Sequence, residues 1–221
     1  MASKPKAGGV APYHHGNLRH ALIAEGRRAL EEIGVHELGL RYLARMVGVS
    51  EAAPSRHFAG KEGLLAAIAA DGFRELAARR AEVLTSADDN LTKTYRMLRT
   101  YLEFARRHKG LFNLMIGPRL LARDGYPELA EESSKSFRVF SNCVEKLALE
   151  YGWEEGTLPL VTHAAWSTEH GLAMLIVSDR VPRSDFPIVV EDMIQYSIGL
   201  FLSAVTGGPS QLKDLIARLQ I

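Results

Sequence analysis

Hydrophobic residues recur along almost the whole chain with the three-to-four-residue spacing of amphipathic α-helices. Over residues 17–33, Leu18, Leu22, Gly26, Ala29, Leu30 and Ile33 form one stripe, and Arg19, Glu25, Arg28 and Glu32 lie opposite. Asn17 suits an N-cap, since its side-chain oxygen can accept from a free N–H of the first turn, and Gly34 suits the left-handed residue that ends a helix. A short second helix is predicted over 40–47, with Leu40, Leu43, Ala44 and Val47 apolar. Gly48 then permits a tight turn, Ser50 can cap the next helix, and a third short helix is predicted over 51–58. Pro54, at its fourth position, removes the first intrahelical hydrogen bond and makes an irregular start.

Longer helices are predicted over 61–84, 91–107, 108–116 and 127–151. The stretch TSADDN (85–90) and Gly117-Pro118 break the pattern, and Pro127 suits a first helical position. Two final segments, 158–177 and 188–205, are apolar over most of their circumference and must be buried on every side. Packing against a second copy of the chain achieves this most simply, although a core helix of a monomer carries the same pattern. No alternating strand pattern of useful length occurs. The predicted fold is all-α: an N-terminal three-helix head and a C-terminal helical bundle that offers two helices to a dimer interface. The first 12 residues, rich in Lys, Ala, Gly and Pro, are expected to be a disordered arm.

Charge changes this picture once it is divided. The 221 residues carry a formal net charge of only +1, which alone argues against a polyanionic partner. Residues 1–61, however, hold nine basic and five acidic side chains, a net of +4, and five of the eight histidines. The remainder holds 18 basic and 21 acidic, a net of −3. A basic head on a mildly acidic body suggests a polyanion, although chance scatter could give so small a margin. No run of 18 apolar residues is present, so no membrane span is expected, and the N-terminus lacks the apolar core of a signal peptide. With the single cysteine, Cys143, these features place the protein in the cytoplasm as an expectation.

Residues 38–65, LGLRYLARMVGVSEAAPSRHFAGKEGLL, have the make-up of a helix-turn-helix. Ala44 is small where two helices cross, Gly48 takes the turn, Val49 fills the wedge, and Phe58 anchors the third helix. Glu51, Ala52, Ser55 and Arg56 then face outward on a surface small enough for a major groove. With the preceding YHHGNLRHALIAEGRRALEEIG, and with LARMVGVS and RHFAGKEGLL in register, residues 13–70 resemble the TetR family of transcriptional regulators. The segment AAWSTEHGLAML, containing Trp166, His170 and Gly171, resembles a C-terminal regulatory domain found in part of that family, the WHG-motif type.

The resemblance implies roles. Arg41 would reach base edges from the second helix, and Glu51, Ala52 and Ala53 would form the base-reading start of the third, capped by Ser50. Ser55, His57 and Lys61 match phosphate-holding positions, with Arg56 beside them, although His57 could equally be a capping group. Asn17 and Arg19 would approach the backbone from the first helix. Ser55 stands where the family usually has tyrosine, and Leu40 where threonine or serine is common, so two phosphate donors are shortened or lost. Arg27, Arg28, Arg45, Arg79 and Arg80 read as solvated helix faces.

The resemblance further implies domains at 13–60 (DNA-binding) and 61–221 (ligand-binding and dimerisation). The partners would be double-stranded DNA, a small-molecule effector and a second copy of the chain, with no membrane. Phe104, Phe112, Met115, Phe137, Phe140, Trp166, His170 and Met174 are the candidate effector-pocket residues, although each aromatic could be ordinary core. No metal or other cofactor is expected: His163 and His170 share a helix face but stand about 10.5 Å apart, too far for one ion. Nor does the chain contain a nucleophile elbow, a phosphate-cradling glycine loop or paired carboxylates that would mark an enzyme. The expected function is a ligand-responsive DNA-binding regulator, a repressor released from a palindromic operator by a small apolar molecule. The alternative is a helical small-molecule-binding protein with a vestigial DNA-binding head.

Overall fold

The first apolar stripe folds as α1 (Leu18–Glu32), with Leu22, Ile23, Gly26, Ala29 and Leu30 buried. The coordinates are a computed structural model that describes residues 18–120, 125–181 and 188–219. The expected arm and Asn17 lie outside these residues. A single turn, α2 (Gly34–Glu37), precedes α3 (Leu40–Val47), which buries Leu43 and Ala44. Gly48 closes α3 at φ +76°, its N–H directed to the Ala44 and Arg45 carbonyls, and the Val49 N–H returns to Ala44 at 2.9 Å. This left-handed cap satisfies the free carbonyls of the last turn.

The third element differs from the predicted helix over 51–58. Residues 51–53 form turns, and Pro54–Arg56 is one turn of 3₁₀-helix. Pro54 has no N–H for the Ser50 carbonyl, which accepts instead from Ala53 at 3.0 Å; His57 N–H likewise reaches Pro54 at 2.9 Å. Three-residue closure replaces the α-helical pattern where the proline interrupts it.

Helix α4 (Gly60–Leu84) is the longest among the described residues, and both parts of the molecule pack on it. Its N-terminal half meets α1 and α3, and the approach is close at Gly26, where a Cβ would come within 2.5 Å of Ile68 Cδ1 and require that side chain to shift. Further along, α4 packs against α5 (Asn90–Arg107), α6 (Lys109–Ile116) and α7 (Pro127–Glu150). Asp89 caps α5, its carboxylate accepting from Thr92 N–H at 2.7 Å. Helices α8 (Leu158–Val177) and α9 (Val190–Thr206) follow the two wholly apolar segments. A final helix, α10 (Gly208–Leu219), lies in a segment with no predicted element. The described residues contain no strand, and none of their helices is long and apolar enough to cross a membrane. The described residues thus form an N-terminal head of short helices followed by a larger C-terminal helical domain.

Large apolar side chains remain exposed on α8 and α9. Leu160, Tyr196 and Leu200 are 72%, 75% and 70% exposed, with Trp166, Met174, Leu175, Ile188 and Val189 alongside. So many exposed large apolar side chains on and beside two helices are unusual for a monomer.

Candidate functional site

The head presents a polar face built from α3 and the turns around Pro54. Arg41, Ser50, Glu51, Ala52, Ser55, Arg56 and His57 are exposed, whereas Ala53 and Lys61 are half-buried. Buried Leu38, Leu43, Phe58, Leu64 and Leu65 hold this face in place. Arg41 Nε lies 3.7 Å from a Glu51 carboxylate oxygen, so the acid shares the surface with the arginine. Lys61 Nζ donates to the His36 carbonyl at 2.7 Å. Arg19 is turned toward the body, where it pairs with Glu128 and lies over the Phe58 ring at 5.7 Å.

A charged seam joins head and body along α4. Arg27, from α1, bridges Asp71 (2.7 Å) and Glu75; Arg79 reaches Glu75 at 2.8 Å; Arg74 reaches Asp71, Glu128 and Glu132 at 3.0–3.1 Å. Burial opposes ionisation of Glu75, but the hydrogen bonds and charges of Arg27 and Arg79 outweigh it and hold its pKa below the usual carboxylate range. Glu31, also on α1, accepts from the Gly110 and Leu111 amides (2.9 and 3.0 Å) and so caps α6. Arg27 is thus not a solvated helix face. It carries two ion pairs between the two parts.

Arg80 departs further from that expectation. It is 3% exposed and donates from an Nη to Glu169, 0% exposed, at 2.6 Å. The guanidinium also lies over the rings of Tyr101 (5.2 Å) and Phe140 (4.8 Å). Only one hydrogen bond joins the pair. Arg80 Nε, the second Glu169 oxygen and the Ser136 hydroxyl are buried with no hydrogen-bond partner. All three residues line one cavity of about 100 Å³, walled also by Phe73, Leu76, Tyr101, Ile116, Ser133, Phe137 and Trp166. Burial pushes the Glu169 carboxyl up to about 7 despite the nearby arginine.

Of the eight candidate pocket residues, Phe137 and Trp166 stand on this wall. Phe104, Phe112, Met115 and Phe140 are buried in the packing around it. His170 Nδ1 is bonded to the Tyr101 hydroxyl at 2.9 Å and its ring lies 5.6 Å from Trp166; burial lowers its pKa. Met174 is exposed on α8. Cys143 is buried beside Thr94, and burial pushes its thiol pKa up, which is the opposite of an activated thiolate. Sequence reasoning missed Arg80, Glu169 and Ser136. A signal was present: Glu169 is the only charged residue in the otherwise apolar 158–177 segment, and such a carboxylate needs a partner.

Two family models match the chain: bacterial regulatory proteins of the tetR family over residues 22–68, and the tetracyclin repressor-like C-terminal domain over residues 95–198. The chain is 26% identical over 141 residues to the nucleoid occlusion factor SlmA of Marinobacter nauticus, covering 64% of this chain and 70% of that protein. A solved structure of a protein of unknown function from Rhodococcus sp. RHA1 is similar at TM-score 0.75 and 30% identity, covering 88% of this chain and 98% of the other. The TetR family transcriptional regulator PfmR from Thermus thermophilus is similar at TM-score 0.60 and 20% identity, covering 82% and 97%, a likeness of fold.

Proposed function

The chain belongs to the TetR family of transcriptional regulators, and from that premise we propose that it is a homodimeric repressor released from a palindromic operator by a small molecule. The observation that carries the reading is the position of α4. One helix begins beside the exposed polar face of the head and continues into the wall of the internal cavity. A ligand that favours one placement of α4 therefore favours one placement of the head. To act, it must bind that state more tightly than the DNA-bound state.

The exposed apolar side chains of α8 and α9 support pairing with a second copy through these helices. Two heads related by a two-fold axis would address successive major grooves about 34–36 Å apart, which calls for a palindromic site. Arg41 and Arg56 are the base- and phosphate-reaching cations, Ser50, Ser55, His57 and Lys61 are shorter phosphate partners, and Glu51, Ala52 and Ala53 form the base-facing edge. Arg19, held by Glu128 on the body side, is not among these contacts. The Arg41–Glu51 contact supports a second reading, in which the head no longer binds DNA and the body remains a small-molecule-binding protein.

Selection from a pool of random duplexes, followed by titration of the winners at several salt concentrations, separates the two readings. The repressor reading expects a palindromic consensus with salt-sensitive binding. The double variant R41A/K61A should then bind at least tenfold more weakly, with a shallower salt slope. Failure to enrich any sequence would support the vestigial head instead.

A further inference from the structure

Buried ion pairs are normally completed by additional hydrogen bonds, because each charge retains lone pairs or protons that cannot reach water. The Arg80–Glu169 pair is not completed. One guanidinium N–H, one carboxylate oxygen and the Ser136 hydroxyl remain without protein partners, and all belong to residues lining the same cavity. Each of these atoms is closed to water as the wall now packs, so a molecule that parted the wall and supplied both a donor and an acceptor would complete them.

The cavity's chemistry narrows what that molecule is. Arg80 and Glu169 balance each other's charge. With Glu169 ionised, a ligand carboxylate would set a second anion beside it, and a ligand ammonium would set a second cation beside Arg80; either leaves an unbalanced buried charge, which is costly. The ionised pair therefore selects a neutral ligand. Its polar part must both donate, to the free Glu169 oxygen, and accept, from Arg80 Nε or Ser136, which a single hydroxyl does. Its body meets Phe73, Phe137, Trp166 and Tyr101, faces and edges that favour a flat ring. Its size is limited: an apolar cavity of about 150 Å³ admits benzene, and the space here is about 100 Å³. A single ring is therefore the upper limit of its size, and it needs the wall to yield.

We infer that this cavity is the receptor for a neutral, single-ring hydroxylated aromatic compound, of the phenol class, held by Arg80, Glu169 and Ser136 against the aromatic wall. The inference deepens the ligand-responsive reading and rests on it for its regulatory meaning. Trp166 reports occupancy, because the other tryptophan, Trp153, is not part of the cavity wall and is buried with its Nε1 bonded to the Val205 carbonyl.

The test is titration of the full-length protein, without DNA, with phenol, benzene, benzoate and benzylammonium at neutral pH, read by calorimetry and tryptophan fluorescence. Phenol is expected to saturate with a change in Trp166 emission and to bind at least tenfold more tightly than the other three. S136A should weaken phenol several-fold. The double variant R80M/E169L, checked for native melting, should bind phenol and benzene equally. If R80M/E169L does not fold, S136A carries the comparison alone. Benzoate or benzylammonium binding as tightly as phenol would overturn the inference, as would phenol failing to saturate or a phenol preference that survives both variants. Because no DNA is present, such failure leaves the DNA-binding reading standing, whereas phenol binding without operator binding would remove that reading instead.

Discussion

Two sets of ion pairs sit on the same helix, α4, less than three turns apart, and they are built differently. At the seam, Asp71, Arg74 and Glu75 share partners from α1 and α7, and the arginines Arg27 and Arg74 each make two or more bonds at the edge of solvent. Inside, Arg80 makes one bond to one carboxylate, and the pair keeps two unsatisfied atoms in a buried, aromatic setting. The chemical groups are the same. The difference is whether solvent and neighbours complete their hydrogen bonding. The seam is a clamp whose arginines are each bonded several times over, although the second Glu132 oxygen is buried without a partner, so it transmits position. The inner pair is a half-filled polar site, so it has a use for a ligand.

The largest way to break this contrast is to remove one member of the inner pair. R80A leaves the Glu169 carboxylate buried without a counter-charge and should cost about 3–5 kcal/mol in urea unfolding, the range for breaking a buried pair. R80M/E169L, which removes both, should be as stable as the native protein or more so, because the two charges no longer have to be desolvated. A double variant as unstable as R80A would show that the pair supports the fold rather than serving the cavity.

The pH dependence sharpens the same point. The Glu169 carboxyl is raised from 4.5 to about 7 in the folded protein, chiefly by burial. Between these values the folded state holds a proton that the unfolded state has released, so its contribution to stability falls as pH rises through that window and levels off above about 7. The native protein's Tm should therefore drop relative to that of E169Q between pH 5 and pH 7.5. Other titrating groups, His170 included, are common to both and cancel in the difference. Glu75 at the seam behaves oppositely: its pKa is depressed, so its stabilisation is present near neutral pH and is lost as pH falls below the usual carboxylate range.

The smallest expected effect is at the seam. R27A removes two partly solvated pairs and should cost about 1 kcal/mol, less at high salt, since such pairs are screened. Its consequence for regulation should exceed its consequence for stability: operator affinity should respond more weakly to ligand, because α1 is less firmly tied to α4.

Much of the fold was legible in the chain. Helices α3 and α6 end at Gly48 and Gly117, and α5 and α7 begin at Asp89 and Pro127, because caps and breakers act locally. Pro54 announced an irregular start, but local reasoning did not show that three-residue closure would replace the whole third helix. The single turn α2 and the exposed helix α10 were not read at all, the first too short for a period and the second beyond the strongly apolar pattern. The polar face of the head was readable because it lies within one continuous segment. The inner site was not, because Arg79 and Arg80 are neighbours whose side chains point about 100° apart on a helix. Which of them faces inward depends on α8, 89 residues later, bringing Glu169 opposite. Glu169 alone, as the single charge on α8, marked its end of the pair.

The most direct test of the whole account is operator binding by the native protein and by R80M/E169L, measured by fluorescence anisotropy with and without saturating phenol or benzene. Phenol is expected to weaken the native complex by tenfold or more, and to affect the variant's complex no more than benzene does. A phenol effect on the variant's complex beyond that of benzene, or no effect on the native one, would contradict the account.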